Sequence, residues 1–231
     1  MSIFGLMISI FIPIRKGSKR VKNKNIKKIG KFNLGLTEIK IKQIIKLKKL
    51  LGNKHEIELV VATNCLKTLK YCKNFEWIKT YKRSENISGD HSLNKLIDLI
   101  PSICKGKFIL WTHVTSPLFS SNCYRDFIKS FFGKKTKRSA FSADLIQKFL
   151  FQSDKKWISH ESSINKWPRS QDLKPTYIIN SAAFIATRKT YVEARDRLCR
   201  NPFPIISKNN TGFDVDNKDD FEKLKKLKIQ I

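Results

Sequence analysis

Residues 7–27, MISIFIPIRKGSKRVKNKNIK, join an apolar run to a basic loop that carries a single glycine. The run is too short to cross a bilayer, and its positive charges (Arg15, Lys16, Lys19, Arg20) follow it instead of preceding it. It therefore reads as a buried strand of a parallel sheet, not as a leader. The loop behind it sets Gly17 and Ser18 among cations, so backbone N–H groups can approach phosphate oxygens with Arg and Lys charge beside them. It is not a P-loop, since GxxxxGK(S/T) is absent, and it is not a GxGxxG dinucleotide loop. On composition alone, a basic surface turn and a triphosphate site are equal readings.

Outward from this stretch, strand-like and helix-like patterns alternate. LTEIKIKQIIKLKKLL (36–51) places Ile41, Ile44, Ile45 and Leu51 near helical spacing, with lysines around the rest of the wheel. EIELVVATN (56–64) and WIKTYKR (77–83) read as strands, and 91–100 as a helix stopped by Pro101. KFILWTHVTSP (107–117) is an apolar strand running into a Ser/Pro turn, and Tyr124, Phe127, Ile128 and Phe131 stripe a helix. Residues 138–178 change character, with aromatic residues and turn signals that predict a small hairpin lobe inserted into the sheet. TYIINSAAFIATR (176–188) resumes a core strand, 189–200 suits a helix, and GFDVDNKDDFEKLKKL (212–227) reads as a turn followed by a last helix. The alternation predicts one α/β domain over 1–231 built on a mostly parallel, doubly wound sheet.

The net charge of +28 marks either a polyanion partner or compositional drift toward Lys, Ile and Asn. The basic residues run through nearly every segment, which favours drift and no nucleic-acid partner. Cys65, Cys72, Cys104, Cys123 and Cys199 include no CxxC pair, and the four histidines keep no metal-ligand spacing to them. The expected setting is a reducing cytoplasm, with no membrane span.

The order of residues is more specific than the composition. IPIRKGSKRVKNKNIK (12–27) resembles the IPARxGSKxxxxKNI signature of the acylneuraminate cytidylyltransferases, matching at Arg15, Ser18, Lys19, Lys24, Asn25 and Ile26. WTHVTSPL (111–118) is similar to that family's LQPTSPL segment, WPRSQDLKPTYIINSAAFI (167–185) to RxQDLPPxYxxNGAxY, and FDVDNKDDF (213–221) to IDIDTxxDF. The four blocks occur in the family's order across the whole chain.

The resemblance implies a Rossmann-like nucleotidyltransferase fold, a homodimer, a Mg²⁺ requirement, and CTP and an acidic nine-carbon sugar as substrates. The 138–178 lobe is then a candidate dimerisation element. The implied reaction is attack of an anomeric hydroxyl on the α-phosphorus of CTP. Arg15 and Lys24 would be catalytic, and Ser18, Lys19, Asn25 and Arg83 would bind the nucleotide. His113, Thr115, Ser116, Arg169, Gln171 and Asn180 would face the sugar, and Asp214 and Asp216 would hold the metal. In-line displacement at phosphorus asks mainly for positioning and charge neutralisation, which these residue types supply. His113 reads equally as a core histidine, and for Arg169, a natural partner of a sugar carboxylate, a surface cation is the lesser alternative. Asp220 reads as support for the final helix. Ile14, Lys16, Arg20 and Asn64 depart from the family's pattern, which bears on efficiency and sugar selectivity more than on reaction class. A cytidylyltransferase for an octulosonate and a non-catalytic basic binding module remain the alternatives.

Overall fold

The computed structural model describes residues 5–84, 87, 93–134 and 138–231. Seven strands form one sheet: β1 Leu6–Ile14, β2 His55–Thr63, β3 Ile78–Lys82, β4 Phe108–Trp111, β5 Ser139–Ile146, β6 Thr176–Thr187 and β7 Phe203–Ile206, in the order β3-β2-β1-β4-β6-β5-β7. The pairs β1–β2, β1–β4, β2–β3 and β5–β7 are parallel, and β6 runs antiparallel to both of its neighbours.

Alternation along β1 explains the layers. Ile8, Ile10, Ile12 and Ile14 enter one core with side chains of α1 (Gly35–Leu51), α4 (Ser121–Gly133) and α6 (Lys218–Lys226). Phe11 enters a second core with Leu96, Ile97 and Ile100 of α3 (Leu93–Ile103) and Tyr191 of α5 (Arg188–Glu193). A strand buried on both faces reads as a nearly continuous apolar run, and β1 does so, interrupted only by the buried Ser9, whose hydroxyl donates to the Glu58 carboxylate. Phe108, Phe131 and Phe132 meet edge-on with ring centroids 4.9–5.7 Å apart, fixing α4 to the sheet. The short helix α2 (Leu66–Cys72) completes the β2–β3 crossover.

The structure redraws several expected boundaries. Ser139–Ile146, expected to open the inserted lobe, is instead a sheet strand; what leaves the sheet is 147–175. Its first residues, SAFSA, are buried on both faces, but four of the five are small, so in sequence they read as a short strand of a lobe and not as a strand of the main sheet. The helix at 91–100 runs on through Pro101 to Ile103, because a missing N–H in the last turn removes only one bond; the Cys104 N–H still donates to the Ile100 carbonyl at 2.9 Å. The first two residues of that expected helix lie outside the described residues. The helix expected over 189–200 ends at Glu193. Lys40, counted among the lysines around the wheel, is fully buried. Among the described residues no helix is long and apolar enough to cross a membrane, and all five cysteines are unpaired thiols.

The chain turns into α1 at Gly35, whose φ of +48° lies in the left-handed region and whose Cβ, if present, would stand 1.9 Å from the Lys27 carbonyl oxygen. Gly35→Ala is expected to lower stability by about 2–3 kcal/mol, from backbone strain plus displacement of the loop before α1, measurable as a lower urea midpoint with an unchanged slope.

Candidate active site

The chain runs from β1 to β2 and β3 on one side and returns to β4 on the other, so the carboxyl ends of β1 and β4 flank a switch point, where open α/β sheets place their ligands. A cleft of about 550 Å³ opens there. Arg15, Ser18, Lys19, Lys24, Asn25, Arg83, His113, Thr115, Asp214 and Asp216 all line it.

The loop after β1 is built by its own hydrogen bonds. Gly17, at φ +88°, lets the chain reverse. The Ser18 hydroxyl donates to the Val21 carbonyl and accepts the Lys24 N–H, both at 2.8 Å, so this hydroxyl is engaged in closing the loop. The Asn25 amide donates to the Arg15 carbonyl at 3.0 Å, and the Thr37 hydroxyl of α1 donates to the Asn25 carbonyl at 2.8 Å. The Lys16 N–H donates to the Asn64 side-chain oxygen at 2.7 Å, which gives Asn64 a role in holding the loop.

Facing this loop is the 214–216 segment. The Lys24 ammonium donates to the Val215 carbonyl and lies 3.9 Å from an Asp216 oxygen. Burial lowers the Lys24 pKa, and Asp216 and Asp214 oppose that shift. Arg20 pairs with the same Asp216 oxygen at 3.3 Å. The Asp220 carboxylate accepts the N–H groups of Asp216 and Asn217 at 3.0 and 3.1 Å, and with Asn217 it closes a capping box at the start of α6. Asp214 is held from the other side, where the Val215 N–H donates to the Thr115 carbonyl at 2.8 Å. Burial raises the Asp214 pKa despite Thr115 and Lys24, and its Oδ1 is buried with no hydrogen-bond partner.

An orphaned carboxylate oxygen beside a second carboxylate suits a divalent cation. Among the described residues there is no group of three or more His, Cys, Asp and Glu that could hold a metal. A metal here would therefore draw its remaining ligands from water and a bound phosphate, the pattern Mg²⁺ favours. Asp214 and Asp216 fit that role.

On the remaining wall, the His113 Nε2 accepts the Trp111 indole N–H at 2.9 Å. Burial, then Arg197 and Lys40, push the His113 pKa down to about 3, so the ring is neutral with its proton on Nδ1. Arg83 is buried, and its guanidinium donates to the Ile87 carbonyl at 2.8 Å through Nε. Burial and then the nearby Arg15 lower its pKa.

Four expected residues stand apart from the cleft lining. Ser116 is fully buried, with its carbonyl accepting from the Lys40 ammonium at 2.9 Å. Asn180 bonds Ser142, Asp144 and Ser207. Arg169 is exposed and paired with Asp172 at 2.9 Å, and the Gln171 carbonyl accepts from the Gln147 amide. Sequence reasoning did not single out Pro13, Val21, Leu93, Leu96, Trp111, Val114 and Ser181 as lining residues, nor Arg20 as a partner of Asp216. Pro13, Trp111 and Val114 carried a signal, as parts of the first strand and of the WTHVTSPL block.

Comparison with known proteins gives a consistent result. The family model described as cytidylyltransferase matches residues 9–163, more than half of the chain. The N-acylneuraminate cytidylyltransferases of Streptococcus agalactiae serotypes III and Ia are each 25% identical over 150 residues, 62% of this chain and 36% of the relative. The match thus spans about a third of those relatives' length. Among solved structures, a CMP:2-keto-3-deoxy-manno-octonic acid synthetase complexed with CTP superposes at TM-score 0.58 with 14% identity, covering 95% of this chain and 97% of the other. The 4-diphosphocytidyl-2C-methyl-D-erythritol synthase of Anaerococcus prevotii gives 0.60 at 9% identity, covering 96% and 97%. These likenesses show a nucleotidyltransferase fold.

The orphaned Asp214 oxygen has a measurable consequence. Its folded-state pKa is raised, so burial of the charged form opposes folding at neutral pH, and that penalty fades as pH falls through the folded value. Asp214→Asn is expected to raise the melting temperature of the metal-free protein at pH 7 by about 2–4 °C, the effect of about 1 kcal/mol in a domain of this size. With Asp214 as a metal ligand, Mg²⁺ together with a nucleoside triphosphate is expected to raise the melting temperature of the wild type and not that of Asp214→Asn. Differential scanning fluorimetry with and without both ligands reads both effects.

Proposed function

The chain belongs to the cytidylyltransferase family, and from that premise we propose that it transfers CMP from CTP to the anomeric hydroxyl of a sialic-acid-like nonulosonate, releasing pyrophosphate. The observation that carries this reading is the single cleft in which the cationic loop of Arg15–Asn25 faces Asp214 and Asp216, with Lys24 bridging the two. The four sequence blocks and the two streptococcal relatives support the nonulosonate as acceptor.

In this reading the anomeric oxygen forms its bond to the α-phosphorus as the bond to the bridging oxygen of the β-phosphate breaks. The electron pair leaves with pyrophosphate, and the hydroxyl proton passes to solvent. Arg15, Lys19 and Lys24 stabilise the charge that moves onto the leaving group. A fixed cation in a partly dry cleft does this with little reorganisation. The Ser18 bonds keep the loop's N–H groups turned toward the phosphates, and Asn25 and Arg83 contact the nucleotide. Mg²⁺ held by Asp214 and Asp216 would neutralise phosphate charge and orient the α-phosphoryl group. His113, neutral and with Nε2 occupied by Trp111, offers an Nδ1–H donor to an acceptor oxygen of the sugar, and Thr115 lies beside it. Ser116, Gln171, Asn180 and Arg169 would shape the acceptor side from beyond the cleft wall.

We also propose a homodimer formed through the 147–175 excursion. Phe149, Trp157 and Trp167 pack edge-on there, while Phe151, Ile164 and Trp167 remain exposed. An apolar patch of this kind commonly marks an interface.

A nucleotide-by-sugar activity matrix with pyrophosphate detection tests the substrate. Turnover is expected with CTP and a nonulosonate; activity on octulosonate alone would transfer the reading to that acceptor, and salt-sensitive nucleic-acid binding without turnover would refute an enzyme. Asp216→Ala should retain the wild-type circular dichroism and lose Mg²⁺-dependent turnover by at least about 10³-fold; near-normal turnover refutes the metal assignment. Sedimentation should show a dimer, which Ile164→Asp with Trp167→Ser converts to monomer.

A further inference from the structure

Helix α1 buries a polar stripe that the proposed reaction does not use. Thr37, Lys40 and Gln43 recur every third residue, and all three are fully buried. Each spends its donors chiefly on backbone carbonyls of the two loops beside the cleft. Thr37 donates to the Asn25 carbonyl at 2.8 Å, in the phosphate loop. Gln43 donates to the Pro117 carbonyl at 2.8 Å and to the Gln230 carbonyl at 2.8 Å. Lys40 gives its three N–H groups to the Ser116 carbonyl at 2.9 Å, the Tyr124 hydroxyl at 2.6 Å and the Phe119 carbonyl at 3.4 Å.

A buried ammonium satisfied only by neutral oxygens is an expensive way to fill a core, and burial pushes the Lys40 pKa down to about 7. The turn it grips is the one that steers Asp214. The carbonyl of Thr115, next to Ser116, accepts the N–H of Val215, which lies between Asp214 and Asp216, and the Val215 carbonyl in turn receives Lys24. We propose that this stripe is a positioning device in which Thr37 sets the phosphate loop and Lys40, through the 115–119 turn, sets the carboxylates opposite it. The two halves of the cleft are thereby referenced to one rigid helix. Such outer supports act on ligand geometry without touching ligand. Lys40 and Thr37 are positioning residues, and their effects should separate.

The test uses the full chain, with Mn²⁺ as the metal because its EPR signal distinguishes bound from free ion. Wild type, Lys40→Met and Thr37→Val are compared for Mn²⁺ binding with CTP saturating, CTP binding in EDTA, melting temperature, and hydrogen exchange across 112–120. Lys40→Met should weaken Mn²⁺ binding about tenfold, keep CTP binding within about twofold and speed exchange across 112–120. Thr37→Val should weaken CTP binding and leave Mn²⁺ affinity and that exchange unchanged. Parallel losses of both ligands in both variants, in step with melting temperature, would overturn the proposal, as would a folded Lys40→Met with wild-type Mn²⁺ affinity. If Lys40→Met does not fold, Lys40→Gln, which keeps a donor for one carbonyl, carries the same comparison. The inference rests on Asp214 and Asp216 as the metal pair. An Asp216→Ala variant that binds Mn²⁺ like the wild type sinks that reading separately, and unchanged exchange across 112–120 in Lys40→Met then sinks this one.

Discussion

The hydrogen bond from the Lys24 ammonium to the Val215 carbonyl joins residues 191 positions apart, and the cleft takes its shape from it. A basic loop after a strand has many accessible geometries. Closed on itself by Ser18 and Asn25, and then pinned to the far end of the chain by Lys24, it has far fewer. The bond also fixes the 214–216 segment, because the carbonyl that receives Lys24 lies between the two aspartates. Lys24 thereby serves geometry and charge together, with the Asp216 carboxylate 3.9 Å away.

Electrostatics in the cleft are unbalanced by design of the lining. Arg15, Lys19, Arg20, Lys24 and Arg83 face Asp214 and Asp216, and Arg15 contributes to lowering the Arg83 and Lys24 pKa values. Clustered cations in a partly buried cleft repel one another, and an anionic ligand relieves that repulsion. The +28 net charge extends well beyond this site, into lysines that are mostly exposed among the described residues. The local arrangement therefore says more about the ligand than the total does. Arg20 shows the point: it departs from the family pattern, and in the structure it pairs with Asp216.

Much of the fold was legible because burial on both faces writes itself into sequence. The β1 run and the hydrophobic spacing of α4 each depend on which of a residue's near neighbours are apolar, and a short window captures that. SAFSA at 139–143 was legible as a short strand but not as part of the main sheet, because its pairing with β6 and β7 depends on residues remote in the chain. The cleft was legible through the order of Arg15, Lys24, Asp214 and Asp216, whose spacing along the chain resembles a known pattern.

The sequence by itself determined an α/β alternation, a basic glycine-containing loop after the first strand and an acidic pair near the end. Tertiary structure alone decided that β6 runs antiparallel, that Arg169 pairs with Asp172 away from the cleft, and that Lys40 belongs to the interior. The reason is the same in each case. Strand direction, ion pairing and the burial of a lysine depend on partners remote in the chain or on competing contacts, and periodicity carries no record of them. Lys40 is buried because carbonyls 76 and 79 residues away need its protons, and nothing in LTEIKIKQII announces that demand.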